Sequence, residues 1–219
     1  MVSLRKIKLE GFRGARLPVE MDFTNRHASI AIYGDNGGGK SSVLRAIAIA
    51  VLAPALLESG FVAHRLVRRP DAKSSLLKLV CDLDPHDLVT PRTKEPQIEL
   101  LARIDARGGQ SLDRLHLEKT PNSPIERLIY DDKSHAFFVV GYGATRRAET
   151  GDLLESSHRK ARGLRYQRVA GLFEDHVALR PMQTWLRRIK DSKRKKEAIR
   201  KLSSTLPEPL SFDGRFDER

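Results

Sequence analysis

Cysteine is almost missing from this sequence: Cys81 is the single copy in 219 residues. No internal disulfide can form, which excludes the stapled framework of a small secreted domain and points to a cytoplasmic chain. The start, Met1-Val2-Ser3-Leu4-Arg5-Lys6, has no apolar h-region, so no signal peptide is expected. Long hydrophobic runs are absent too. The longest, Ala46 to Leu57, is interrupted by Pro54 and reads as too short to span a bilayer. The seven histidines are scattered and show no metal-ligand spacing, and no G-x-S-x-G nucleophile motif occurs.

Positive charge, by contrast, is abundant and unevenly placed. The net charge is +12. Residues 145–201 hold 17 Lys/Arg against 7 Asp/Glu, whereas the rest of the chain is close to balance. A polyanion such as DNA is the natural partner of that segment. Its densest part contains Arg187, Arg188, Lys190, Lys193, Arg194, Lys195 and Lys196. No aromatic residues interleave with these cations, so any contact would be with phosphates and indifferent to sequence. A solvated helix face is the alternative reading of the same run.

Hydrophobic periodicity outlines the elements. Ile7 and Leu9 alternate with lysines, and Val19, Met21 and Phe23 alternate with acids. This predicts two antiparallel strands, each with one wet face, around Gly11-Phe12-Arg13-Gly14. Ser29 to Tyr33 reads as a buried strand, and Ser41 to Ala53 as a helix buried nearly all round and ending near Pro54. Ile98 to Ile104 and Leu115 to Leu117, separated by Gly108-Gly109, predict a hairpin. Ala136 to Tyr142 reads as a central strand buried on both faces. Beyond Arg146 the pattern turns helical, with Met182, Trp185, Leu186 and Ile189 forming one apolar stripe.

The most informative residues lie between the strand at 29–33 and the helix at 41–53. Gly34, Gly39, Lys40 and Ser41 meet the pattern G-x-x-x-x-G-K-[ST], spelled in full Gly34-Asp35-Asn36-Gly37-Gly38-Gly39-Lys40-Ser41 and followed by Ser42. Glycines let such a loop turn its amide N–H groups inward around phosphate. The helix N-terminus adds partial positive charge beneath it. Lys40 would pair with β- and γ-phosphate oxygens, and the Ser41 hydroxyl would ligate Mg²⁺. The cofactors expected are therefore ATP and magnesium.

Ile7-Lys8-Leu9-Glu10-Gly11-Phe12-Arg13-Gly14, a second strand, and then Ile32-Tyr33-Gly34 through Ser42 resemble the ABC-type ATPase heads of SMC proteins, RecF, double-strand-break repair ATPases and OLD-like ATPases. Phe138 to Arg146 resembles a strand and turn of the OLD-like and phage-defence members, and Leu172-Phe173-Glu174 with Trp185-Leu186 resembles the segment after it. The resemblance implies an α/β fold: a P-loop NTPase lobe with an antiparallel β subdomain and a basic helical C-terminal segment. It implies that Arg13 approaches the nucleotide, and that the turn from Tyr142 to Arg146 takes the Q-loop position, although without the usual glutamine. On this reading residues 1–145 form the ATP-binding lobe, 146–206 the basic helical segment and 207–219 a tail.

Hydrolysis in that family uses four apolar residues followed by Asp-Glu, and an L-S-G-G-like signature donated across a dimer. Leu128 to Asp132 and Leu79 to Asp82 imitate the first, and Leu210 to Gly214 the second, each incompletely. The chain is therefore expected to bind ATP without hydrolysing it, stopping short of the signature and the Asp-Glu strand. A C-terminal lobe or a homodimer partner would complete it. Two other readings stay open: a small P-loop kinase or transferase, and a nucleic-acid-binding module with an inactive P-loop.

Overall fold

The computed structural model describes residues 3–23, 30–68, 71–83, 97–107, 111–118, 137–143, 163–174, 186 and 189–204. The chain forms two compact units, Met1–Ala144 with Glu155–Asp175, and Thr145–Leu154 with His176–Arg219.

The first unit is mixed α/β, built on one antiparallel sheet. Its strands are β1 (Ser3–Glu10), β2 (Val19–Asp22), β3 (Ser74–Asp82), β4 (Gln97–Ala106) and β5 (Asp113–Leu117), in the order β2-β1-β3-β4-β5. Alternation explains both faces. Ile7, Leu9, Leu77, Leu79, Leu100, Ala102 and Ile104 are buried, and the register sets Ile7 opposite Leu79, Leu79 opposite Leu100 and Ile104 opposite Leu115. The other face is a charged lattice: Lys6 pairs with Glu20, Lys8 with Glu10 at 2.7 Å, Lys78 with Glu99 at 2.6 Å and Arg103 with Asp105 at 2.8 Å. Such half-exposed pairs add little stability each, but they keep that face wet, while the buried apolar face sets the register.

Helix α1 (Lys40–Glu58) covers the apolar face, packing on β3, β4 and β5. Ile49, Leu52 and Leu56 are fully buried. By length and composition α1 could cross a bilayer, contrary to the sequence expectation, yet most of its surface is in this core. It also runs past Pro54, which is buried inside it, where the sequence suggested an end. A helix-interior proline costs about 3 kcal/mol. Complete burial of Leu56 two residues later contributes on the order of 2 kcal/mol and offsets most of it.

Two short helices, α2 (Leu164–Gln167) and α3 (Ala170–Phe173), also belong to this unit and touch α1. Tyr166 and Phe173 both meet Phe61 edge-on, at 6.4 and 4.9 Å between ring centroids. The Tyr166 hydroxyl bonds to the Glu174 carboxylate.

Two expected strands are not formed. Residues 30–33 and 137–143 are not in the sheet, and Ile30, Tyr33, Phe138, Val140 and Tyr142 are exposed. An apolar run becomes a central strand only when neighbours flank it on both sides, and none of the five strands does so here. In the second unit, α4 (Ser192–Ser203) is the main described element. Of the predicted apolar stripe, Leu186 is buried and Ile189 half-buried, while Met182 and Trp185 lie outside the described residues.

Cys81 faces the core on β3, and burial, with the Asp82 charge adding, pushes its thiol up to about 12. Thiolate is the reactive form. At pH 8 the native protein is expected to resist a thiol-specific reagent and to release about one equivalent only on unfolding; fast labelling of the native state would contradict this packing.

Candidate functional site

The glycine loop leads directly into α1, and its backbone explains why glycine is needed. Gly37 and Gly39 have φ of +82° and +86°, a region that side chains rarely enter. Gly38 N–H donates to the Asp35 carbonyl at 3.0 Å and closes the turn. Gly39 then serves as the α1 N-cap without any side-chain cap, and no acidic residue occupies the first helical turn. Val43 N–H makes the first helical bond, to Gly39 O at 3.0 Å. The N–H groups of Lys40, Ser41 and Ser42 thus have no partner within the helix. They and the helix dipole converge on the loop, an arrangement suited to an anion.

Lys40 spans this loop. Its ammonium donates to the Gly34 carbonyl at 2.6 Å and to the Asp35 carbonyl at 2.7 Å. An ammonium has three donors, so one is left over for an external acceptor while the charge stays anchored. Ser41 is exposed on the first turn, Ser42 is half-buried, and Gly34, Asp35, Asn36, Gly37 and Gly38 are exposed. A serine hydroxyl such as that of Ser41 can ligate a divalent cation; among the described residues no cluster of three or more His, Cys, Asp or Glu could hold a metal ion.

A set of backbone bonds fixes the turn that carries Arg13. The buried Asp113 carboxylate accepts from Leu66 N–H at 2.6 Å and Val67 N–H at 3.1 Å. Leu66 O in turn accepts from Arg13 N–H, and Gly11 O accepts from Arg68 N–H, both at 2.7 Å. Held in this way, Arg13 sits at φ +48° with its side chain partly buried. Burial lowers its guanidinium pKa, and the nearby Arg45 charge lowers it further. Arg45 is one turn beyond Ser41 on α1. The turn at 11–14 therefore lies beside the helix that carries the loop.

Arg45 was not apparent from the sequence as part of the site, although its i+4 spacing from Ser41 is a signal that could have shown it. Its Nε donates to the Leu172 carbonyl at 2.5 Å. Leu172 also lies against Gly141, where an added Cβ would be 2.3 Å from its Cδ1. Gly141 N–H donates to Arg168 O at 2.9 Å, and the Arg168 guanidinium stacks on Phe138 at 4.7 Å. The 137–143 segment is thereby tied to the second turn of α1. Tyr142 is exposed at its end, and Ala144 to Arg146, the remainder of the expected Q-loop turn, lie outside the described residues.

Of the acidic stretches, Asp82 ends β3, where Arg5 and Gln97 engage its carboxylate, the latter at 3.2 Å. It is a structural pair at the sheet end. Asp131, Asp132 and the stretch 210–214 lie outside the described residues. So do Arg187 and Arg188, whereas Lys190 precedes α4 and Lys193, Arg194, Lys195 and Lys196 are on it. Comparison with protein-family models finds no match, and comparison with curated proteins finds none.

Proposed function

We propose that this chain is the ATP·Mg²⁺-binding N-terminal lobe of an ABC-type P-loop ATPase of the RecF/SMC/OLD-like kind, acting on DNA or in phage defence. One observation carries the reading: a glycine loop with two left-handed glycines opens a buried helix whose first N–H groups are uncapped, and Lys40 is anchored across it. Gly34 to Gly39 cradle the phosphates, Lys40 and the α1 N-terminus supply positive charge, and Ser41 holds magnesium, which neutralises phosphate charge when bound. Arg13, close enough to Arg45 on the same helix to feel its charge, adds a second cation near the nucleotide. The exposed apolar side chains of Ile30, Tyr33, Phe138, Val140 and Tyr142 fit a C-terminal lobe or a second copy that supplies neighbouring strands.

Turnover needs a group that orients water. Neither a complete Asp-Glu strand nor a complete signature occurs in the sequence. The purified chain is therefore expected to bind ATP in a magnesium-dependent manner, seen as saturable quenching of a fluorescent ATP analogue, with negligible phosphate release. Absence of saturable binding overturns the reading. Robust turnover abolished by Asp131→Asn or Asp132→Asn would instead mark a complete P-loop enzyme of another class.

A further inference from the structure

The basic helix α4 is not uniformly charged. Its two acids are already committed. Asp191 caps the helix, accepting from Lys193 N–H at 2.9 Å and Arg194 N–H at 3.4 Å, and pairs with the Arg194 side chain at 3.6 Å. Glu197 pairs with Lys201 at 2.9 Å. The Lys201 hydrogen bond and charge hold the Glu197 carboxyl below its ordinary range, with weaker help from Arg200 and Arg194. Arg194, Glu197 and Lys201 thus form one face that is largely self-neutralised. Ala198, Ile199 and Leu202 occupy a second face with Lys195, and all four are half-covered.

The third face holds Lys193, Lys196 and Arg200, spaced i, i+3, i+7 and so stacked on one side. All three are exposed, and among the described residues none has an ion pair within 4 Å. With a rise of about 1.5 Å per residue the row is roughly 10.5 Å long.

We propose that this row, Lys193–Lys196–Arg200, is a contact strip for the sugar-phosphate backbone of duplex DNA. It deepens the DNA-directed half of the reading above and is independent of nucleotide binding. Each DNA strand carries a phosphate about every 3.4 Å of duplex axis, so a strip of this length runs beside roughly three. Three side chains in line along a convex helix form no concave pocket, which disfavours a small anion. No aromatic residue on α4 offers a stacking platform for single-stranded bases. The apolar face is small, half-covered and turned away from the strip, which disfavours insertion into a lipid surface.

The test compares two triple variants of equal charge in the full chain. Lys193→Gln/Lys196→Gln/Arg200→Gln removes the strip. Arg194→Gln/Lys195→Gln/Lys201→Gln removes three cations from the other faces. Glutamine keeps helix propensity, and circular dichroism checks this. Binding to a labelled duplex of arbitrary sequence is followed by anisotropy over a salt series. Loss of three phosphate contacts makes the log–log salt slope shallower by about 2.7, which makes the fall in affinity between 50 and 200 mM salt roughly 40-fold smaller. The strip variant is expected to show this change, and the other variant a slope within about one of wild type. ATP titration of both variants should match wild type, which separates failure here from failure of the nucleotide site. Equal weakening by both variants, no duplex binding at low salt, or binding to phosphatidylserine vesicles without duplex binding would each overturn the proposal.

Discussion

Lys40→Ala is expected to weaken ATP binding by about tenfold or more while leaving the melting temperature within a degree or two of wild type. The ammonium is the one side-chain cation anchored on the loop itself, held by the Gly34 and Asp35 carbonyls. A charge-assisted hydrogen bond of this kind contributes roughly 1.5–3 kcal/mol, and each 1.4 kcal/mol is about a factor of ten in affinity. Both anchoring bonds are solvent-exposed, and the fold of the first unit rests on α1 and the sheet, so stability should hardly change. Isothermal titration with ATP and magnesium measures the loss. Equal affinities for the two proteins would mean that the loop is not where phosphate binds.

Gly143→Ala is expected to be strongly destabilising for the first unit. An added Cβ would lie 2.1 Å from the Gly171 carbonyl oxygen, and a backbone atom cannot rotate away. The 137–143 and 170–174 segments would have to separate, at a cost of roughly 1–3 kcal/mol or more. For a chain of this size that lowers the melting temperature by about 3–10 °C. Gly14→Ala is the control: nothing lies within 4 Å of its added Cβ, and a change within about 0.5 kcal/mol is expected. Gly141→Ala separates the mechanisms further. Its clash is with the Leu172 side chain, so Leu172→Ala should partly rescue it and should not rescue Gly143→Ala. Calorimetric melting of these variants reads all three outcomes. Tolerance of alanine at Gly143 would rule out the close crossing.

Because Leu172 also receives the Arg45 side chain, damage at this crossing should reach the loop helix. Among the stable variants, those that loosen the crossing should weaken ATP binding more than Gly14→Ala does.

The parts that the sequence determined by itself are those governed by local rules. Strict alternation around Gly11 to Gly14 marked β1 and β2, because a one-residue shift would expose Ile7 and Leu9. Alternation across Gly108-Gly109 marked the β4–β5 hairpin in the same way. The nearly continuous apolar surface of α1 required burial on most sides, and the loop before it had to be rich in glycine because positive φ is needed there.

Other features were decided only by what lies across space. β3 was hidden, because Leu76 and Val80 make its second face apolar as well and blur the period of two. Ile30–Tyr33 and Phe138–Tyr142 carry the composition of buried strands, yet strand pairing depends on neighbours, and the sheet places β3 and β4 elsewhere. Pro54 is a local stop signal overridden by the burial of Leu56. The bond from Arg45 to Leu172 joins residues more than a hundred apart, and no local pattern records it or the contact of Leu172 with Gly141. The division of α4 into neutralised and uncompensated faces depends likewise on side-chain pairing, which composition gives only as a total. Local conformational preference is written in short stretches of sequence, whereas pairing, burial and charge compensation belong to the partner as much as to the residue.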